Sequence, residues 1–146
     1  MKMNLQYSDK YLLNCAILID PEHRDDRMKT ASFFTYFGPG RIAIVRGRVP
    51  VRTPGGYRIY RDLAPRWDML TMPYDQYRTI YAEILGSLDP VNVLEDLERL
   101  ADGHEPVLQC FERQPFSASN WCHRRMVADW FAETLDLEVP EINFEP

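Results

Sequence analysis

The sequence predicts a single α/β domain with a small, mostly parallel sheet flanked by helices. Three observations support this fold class. Residues 107–142 show the pattern of a strand, an amphipathic helix and a second strand, which is the order of a βαβ unit with parallel strands. Two further helical patterns precede this unit, at residues 75–85 and 90–101. The length of 146 residues suits one domain that can bury a core of its own.

The start of the chain is predicted to be an N-terminal extension, residues 1–28, which precedes the α/β domain at residues 29–146. Residues 21–27 form a charged linker with almost nothing apolar to bury. The apolar run at residues 12–19 is shorter than the roughly 20 residues that cross a membrane, and it lacks the basic start of a signal peptide. We therefore expect no membrane partner.

Two β-prone segments open the predicted domain. Residues 31–37 are rich in aromatic side chains, and the turn Gly38-Pro39-Gly40 separates them from a second predicted strand at residues 41–45. Several glycines and prolines predict a loop over residues 47–65.

Helical periodicity is clearest in the middle of the chain. In the first helix the apolar residues recur at i, i+3, i+4, i+7 and i+8, and they are Tyr77, Ile80, Tyr81, Ile84 and Leu85. Asp89 and Pro90 predict the start of the second helix as its N-cap and first-turn proline, and Gly103 predicts its end.

The last part of the chain supplies the βαβ unit. Residues 106–111 predict a buried strand, and residues 117–120 supply cap residues for a third helix. The inner face of that helix is apolar and consists of Met126, Val127, Trp130, Phe131 and Leu135. A final short strand is predicted at residues 138–142.

The cysteine count bears on the compartment. Three cysteines, Cys15, Cys110 and Cys122, are an odd and sparse set, which argues against a disulfide scaffold and for a reducing environment. We therefore expect a cytoplasmic protein.

The residues whose side chains are most often catalytic or ligand-binding lie near the end of the chain. Cys110 and Glu112 stand two residues apart at the end of a predicted strand, so both point to one face. Cys122, His123 and Arg124 follow after a short loop, where the third helix begins. Ligands of α/β proteins bind at the carboxyl edge of the sheet, and such polar groups are costly to bury without partners. We therefore predict that these five residues share one polar cleft.

Three roles are open for Cys122. If Ser119 or Asn120 caps the helix, Cys122 lies in its first turn, where unpaired N–H groups and the helix dipole favour the thiolate. Cys122 would then be a nucleophile, or it would belong to an anion cradle in which the sulfur is a bystander. The third role is that of a buried structural cysteine with His123 as its polar partner.

Glu112 also has several candidate roles: a general base, a carboxylate that orients His123, or an ion-pair partner of Arg124. A zinc site built from Cys110, Glu112, Cys122 and His123 has enough donors. However, neighbouring residues on a helix diverge by about 100°, so Cys122 and His123 are not expected to reach one ion. We therefore predict neither a metal nor a cofactor.

Arginine is concentrated in one segment. Residues 41–66 contain seven arginines and one acidic residue, in a chain whose net charge is -5. One interpretation is an arm that binds phosphate through Arg48, Arg52 and Arg58, with tyrosines stacking on bases. The other is a solvated loop whose charges pair with the acidic remainder. Because duplex-binding proteins are usually basic overall, we expect weak nucleic-acid binding at most.

The two cysteine-containing motifs together resemble those of a known family. Cys110-Phe111-Glu112-Arg113 followed by Cys122-His123-Arg124 resembles the Cys-x-Glu and Cys-His-Arg signature of domain of unknown function family 488. The similarity covers roughly residues 29–142, and the loop between the motifs is longer here. The resemblance implies an α/β fold and a shared polar site at Cys110, Glu112, Cys122, His123 and Arg124. It implies no particular reaction.

The leading hypothesis is an enzyme that acts on a small anionic substrate, with a nucleotide as one candidate. Cys122 would be the nucleophile or an anion-site residue, His123 the acid or base, Glu112 the orienting carboxylate and Arg124 the anion clamp. The alternative is a non-catalytic module that binds nucleic acid or another anionic partner through residues 41–66. A third hypothesis is a protein-interaction subunit in which the motif is purely structural.

Overall fold

The computed structural model describes residues 27–50 and 57–142, which build an α/β fold around a parallel sheet. In this part of the chain the sheet has four strands: β1 (Lys29–Ser32), β2 (Arg41–Ala43), β3 (Arg58–Ile59) and β4 (Val107–Cys110). Their order across the sheet is β1-β4-β2-β3, and every pairing is parallel. The predicted fold class is therefore confirmed.

Strand β4 lies inside the sheet, and all four of its residues are buried. Leu108 is paired with Thr30 of β1 on one side and with Ile42 of β2 on the other. Gln109 is the polar exception, and its Nε2 donates a hydrogen bond to the backbone oxygen of Ser32 at 3.1 Å. An inner strand buried on both faces explains why this part of the sequence is a short apolar run.

Within the described residues three α-helices accompany the sheet, namely α1 (Tyr74–Gly86), α2 (Pro90–Leu100) and α3 (His123–Leu135). The start of α2 is as predicted, because Asp89 Oδ1 accepts hydrogen bonds from the backbone N–H groups of Val91 at 2.9 Å and Asn92 at 3.3 Å. Helix α3 contacts α1, α2, β1 and β4. Its apolar face, with Val127 and Phe131 fully buried, lies in the larger of two core clusters.

The smaller core cluster lies at the carboxyl ends of the strands. It joins Phe33, Ala43 and Val45 to two cysteines, Cys110 and Cys122. The residues that carry the predicted chemistry therefore sit on a packed apolar base rather than on an independent loop.

Two predicted strands are shorter in the structure. The segment at residues 138–142 forms a single parallel bridge between Thr30 and Glu141 beside β1 instead of a strand. The first strand ends at Ser32 and not at residue 37, because the chain turns there and the N–H of Thr35 donates to the carbonyl of Ser32 at 3.2 Å.

The predicted loop at residues 47–65 has more structure than its glycines and prolines indicate. It contains β3 and a short 3-10 helix at Arg61–Leu63, and a second such helix follows at Trp67–Met69. Both 3-10 helices bury one apolar side chain, Leu63 in the first and Met69 in the second. These buried residues attach the segment to the core, which the sequence pattern alone does not show.

Two residues that precede the predicted start of the domain contact the rest of the fold. Met28 is fully buried in the larger core, and Arg27 forms an ion pair with Glu98 at 2.6 Å. Both residues were assigned to the N-terminal extension. The rest of that predicted extension, residues 1–26, lies outside the described residues.

Candidate functional site

A cleft of about 490 Å³ lies where the parallel strands end. Four of the five motif residues, Cys110, Glu112, Cys122 and His123, line it. Val45, just after β2, also lines the cleft, together with residues of the 46–77 segment and of the loop before α3. The βαβ layout brings these groups together because the end of one strand and the start of the following helix meet at the same sheet edge.

A disulfide joins the two motif cysteines. Cys110 ends β4, and Cys122 immediately precedes α3. The odd, sparse cysteine set predicts no disulfide scaffold, and for this pair that expectation is wrong. The reason is topological, since the loop returns the chain to the strand end it has just left. A nucleophilic Cys122 therefore requires prior reduction of this bond. The third cysteine, Cys15, lies outside the described residues.

Cys122 is the N-cap of α3 and not part of its first turn. Its φ and ψ of -139° and 139° are those of extended chain, and its side chain makes no capping hydrogen bond. The predicted caps are used elsewhere, because Asn120 Nδ2 donates to the carbonyl oxygens of Arg113 and Pro115, both at 2.7 Å. The sulfur still lies at the positive end of the helix dipole, as predicted, although one residue earlier in the helix.

The imidazole of His123 is buried and oriented by the sheet. Its Nε2 donates a hydrogen bond to the carbonyl oxygen of Ile44 at 2.6 Å, which leaves Nδ1 without a proton in the neutral ring. That Nδ1 lies 3.8 Å from Cys122 Sγ. Burial lowers the pKa of His123 to about 4; the hydrogen bond to Ile44 opposes this shift, and the charge of Arg124 adds to it. His123 is therefore neutral near pH 7, and its unprotonated Nδ1 can accept a hydrogen bond, but the low pKa makes it a weak base.

The geometry also reverses an argument against metal binding. One ligand atom each from Cys110, Cys122 and His123 lies within 4.8 Å of the others. The sequence predicts no shared metal ion for Cys122 and His123, because the side chains of neighbouring helical residues diverge. Cys122, however, is extended backbone outside the helix, so its side chain and that of His123 are not separated by a helical rotation.

Arg124 does not line the cleft. Its guanidinium is fully buried, and Nε and Nη2 donate to the two carboxylate oxygens of Glu141 at 2.9 and 2.7 Å. Nη1 donates to Cys110 Sγ at 3.1 Å. The predicted anion clamp is therefore wrong, because Glu141 already occupies the bidentate face of the guanidinium. Arg124 instead supports Cys110 from behind the cleft.

Glu112 is half-buried in the cleft wall. The interpretation that it pairs with Arg124 is wrong, since that guanidinium is held by Glu141. Burial raises the pKa of Tyr77, and the negative charge of Glu112 adds to this shift. Glu112 and Tyr77 thus place a carboxylate and a phenol near each other in one wall.

Within residues 41–50 and 57–66, the described arginines of the arginine-rich segment do not assemble into one surface. Arg48 is exposed and does not line the cleft. Arg58 forms a long, exposed ion pair with Asp102 at 3.8 Å, and Arg66 pairs with Asp68 at 3.0 Å. The remaining predicted arm residue, Arg52, falls outside the described residues.

The two tyrosines of the same segment also have partners within the domain. Tyr57 packs edge-on against Phe33 with ring centroids 5.7 Å apart, and the Tyr60 hydroxyl donates to Asp96 at 2.7 Å. These contacts favour the interpretation of a loop that pairs with the acidic remainder over that of an arm that stacks on bases.

Several residues that line the cleft were not predicted as site residues, among them Arg46, Trp67 and Trp121. Trp67 has the clearest sequence signal, because Arg66 and Asp68 flank a large aromatic residue that fits no apolar periodicity. The structure leaves 63% of Trp67 exposed. A large exposed aromatic residue beside a cleft is typical of a binding surface.

Comparison with known proteins identifies no relative: no protein-family model, curated protein or solved structure matches the chain. The resemblance to domain of unknown function family 488 therefore stays a prediction. Each helix within residues 27–50 and 57–142 is too short or too polar to cross a membrane.

Proposed function

We propose that the protein is an enzyme that binds a small anionic substrate with a planar ring, and that its reaction centre is formed by Cys110, Cys122 and His123. The observation that carries this proposal is that these three buried groups, together with Glu112, line one cleft at the carboxyl edge of a parallel sheet. Sites of this kind combine an apolar lining with a few convergent polar groups.

The walls of the cleft suit a flat ring. Trp67, Leu70 and Phe111 are 63%, 55% and 41% exposed along its rim. Trp121 packs against Tyr77 with ring centroids 4.4 Å apart, which holds a second aromatic wall in place. Aromatic side chains stack on planar ligands such as nucleobases with little loss of conformational entropy.

Two features support an anionic group on the substrate. Arg46 lines the cleft, and its Nε is held by the carbonyl of Pro65 at 3.1 Å. The start of α3 adds backbone N–H groups that lack a side-chain cap. The carboxylate of Glu112 would repel an anionic group placed next to it. The anionic group of the substrate is therefore expected to lie beside Arg46.

The polar side chains at the bottom of the cleft would act on the bound substrate as follows. Neutral His123 accepts a hydrogen bond at Nδ1 and so orients the substrate, and Glu112 exchanges a proton with a substrate hydroxyl or amine. A cytoplasmic setting, as the sequence predicts, would keep the Cys110–Cys122 pair in the dithiol form.

The matched pair Arg46→Ala and Arg48→Ala tests the substrate class. Both changes remove one arginine from the same segment, but only Arg46 lines the cleft. We expect the quenching of tryptophan fluorescence by nucleoside mono- and triphosphates to require roughly 10-fold or more ligand in Arg46→Ala, as for loss of a hydrogen bond to a charged group. Arg48→Ala should bind like the unaltered protein.

Trp67→Ala gives a second readout of the same cleft. Removing one stacking partner is expected to cost about 1–3 kcal/mol of binding energy for a nucleotide and much less for inorganic phosphate. If no nucleotide or aromatic anion binds, or if Arg46→Ala and Arg48→Ala weaken binding equally, the proposed substrate class is wrong.

A further inference from the structure

The base of the cleft contains a set of metal-ligating atoms. Ligand atoms of Cys110, Cys122 and His123 lie within 4.8 Å of one another, and these residues are only 1%, 3% and 6% exposed. We propose that, once Cys110 and Cys122 are reduced to thiolates, the three residues bind one divalent cation of the zinc type. This site goes beyond the proposed substrate, and metal binding does not depend on that substrate.

The donor set matches zinc in kind and number. Two thiolates and one imidazole nitrogen are ligands that zinc prefers, whereas magnesium and calcium take oxygen ligands. Three protein ligands leave one position of a tetrahedral ion for water or substrate, which is the pattern of catalytic rather than structural zinc sites. Because all three residues line the cleft, that position is open to a molecule bound there.

His123 is already oriented for ligation. Its Nε2–H donates a hydrogen bond to the carbonyl oxygen of Ile44 at 2.6 Å. The unprotonated Nδ1 lies 3.8 Å from Cys122 Sγ. A metal-binding histidine usually donates its other ring N–H to a carbonyl or carboxylate, which fixes the tautomer and the ring orientation. The 3.8 Å separation is also close to the distance between two ligands of one tetrahedral zinc ion, whose bonds are about 2.0–2.3 Å long.

The surrounding charges would compensate a buried cation. Two thiolates neutralise the charge of a divalent ion, which removes the cost of burying an unpaired charge. Arg124 donates to Cys110 Sγ at 3.1 Å, and Glu141 balances the charge of Arg124. A hydrogen bond to a ligating sulfur is a common outer-shell interaction at metal–thiolate sites.

The backbone spacing suits two thiolates around an ion. The Cα atoms of Cys110 and Cys122 are 7.2 Å apart. Disulfides usually have Cα separations of about 4.4–6.8 Å, and a metal ion between the sulfurs accommodates a wider pair. The disulfide and the metal site exclude each other. An added phosphine reduces the disulfide with two electrons and becomes the phosphine oxide, while water supplies the oxygen and the two thiol protons. Zinc binding then releases both thiol protons to solvent.

A bound metal would change the roles within the cleft. Cys122 would be a ligand rather than the attacking group, and the reacting group would be a zinc-bound water whose pKa is lowered to about 7. Glu112, in the same cleft wall, would be a candidate to exchange protons with it.

Cobalt titration of the full chain tests the site. In the phosphine-reduced protein, Co²⁺ should bind with one equivalent and produce the thiolate charge-transfer and tetrahedral bands, and Zn²⁺ should displace it. Cys110→Ser, Cys122→Ser and His123→Gln should each weaken Zn²⁺ binding by at least about 100-fold, more than the 10–100-fold typical of outer-shell changes. Cys15→Ser, the matched control, should bind like the unaltered protein. The oxidised protein should bind no cobalt.

Alkylation of the unaltered protein covers the case in which a variant does not fold. With reduced protein, Zn²⁺ should protect Cys110 and Cys122 from a thiol reagent, as shown by peptide mapping, and should leave Cys15 as reactive as before. Absence of the cobalt bands in the unaltered reduced protein, Zn²⁺ binding by Cys110→Ser or Cys122→Ser as tight as that of the unaltered protein, or equal alkylation with and without zinc would each overturn the site. Nucleotide binding by oxidised, zinc-free protein is measured separately, so failure of one proposal is distinguished from failure of the other.

Discussion

Two regions of this molecule concentrate chemically active residues in the sequence, and the fold treats them differently. The Cys110–Arg124 region becomes a buried, ordered cluster in which each of Cys110, Cys122, His123 and Arg124 contacts another member. The arginines described within residues 41–50 and 57–66 are dispersed, and Arg58, for example, forms an exposed pair with Asp102.

The difference shows that convergence depends on topology more than on density in the sequence. Cys110 and Cys122 stand 12 residues apart, yet a parallel strand and the following helix bring them into one bond. The arginine segment has the higher charge density, but like charges repel, and described arginines such as Arg58 and Arg66 have different acidic neighbours, Asp102 and Asp68. Polar residues that are close in sequence form a site when the strands and helices that carry them end at the same edge of the sheet.

The largest expected effect concerns the buried ion pair of the first region. Glu141→Gln leaves Arg124 fully buried without its charged partner, so the free energy of unfolding should fall by about 3–5 kcal/mol. Urea denaturation measures this loss. Arg58→Ala, which removes an exposed pair of the second region, should change stability by less than about 1 kcal/mol. Equal losses in the two variants would erase the contrast between the regions.

A smaller effect is expected from the pH dependence of His123. Its folded pKa of about 4 lies below the ordinary value of 6.5, so the unfolded chain binds more protons between these pH values. Stability should therefore be fully present above about pH 6.5 and be lost as the pH falls towards 4, by up to about 3 kcal/mol.

The measurement compares the unaltered protein with His123→Gln, because other groups titrate in the same range. The difference between their unfolding free energies should change with pH only between about 6.5 and 4. A pH-independent difference would mean that the imidazole is not held neutral by burial.

The smallest effect is expected from the arginine segment itself. Single-stranded DNA should bind weakly at low salt, and reversing the charges of Arg48, Arg52 and Arg58 should alter its affinity by less than roughly 10-fold, since few phosphates are contacted. Fluorescence anisotropy against salt concentration measures this. A log–log slope of several times -0.7, flattened by the triple change, would make this segment the functional surface instead.

The sequence predicted the start of α2 well and that of α3 poorly, for one physical reason. Asp89 is followed by a first-turn proline and an apolar periodicity, and local hydrogen bonds then decide its role as a cap. Asn120 looks like an equally good cap, but its side chain bonds the carbonyls of Arg113 and Pro115 in the preceding loop. Asn and Ser side chains compete in this way for nearby backbone groups, and only the path of the loop decides the outcome.

By itself the sequence determined the α/β class, the helices of the middle of the chain and the convergence of Cys110, Glu112, Cys122 and His123, because these follow from periodicity and from where strands and helices end. Only the tertiary structure decided which side chains of the site contact each other. It paired Arg124 with Glu141, joined Cys110 to Cys122, and placed His123 between Ile44 and a sulfur. Each of these contacts crosses between elements that the sequence separates, and their geometry depends on strand order and packing, which no local pattern encodes.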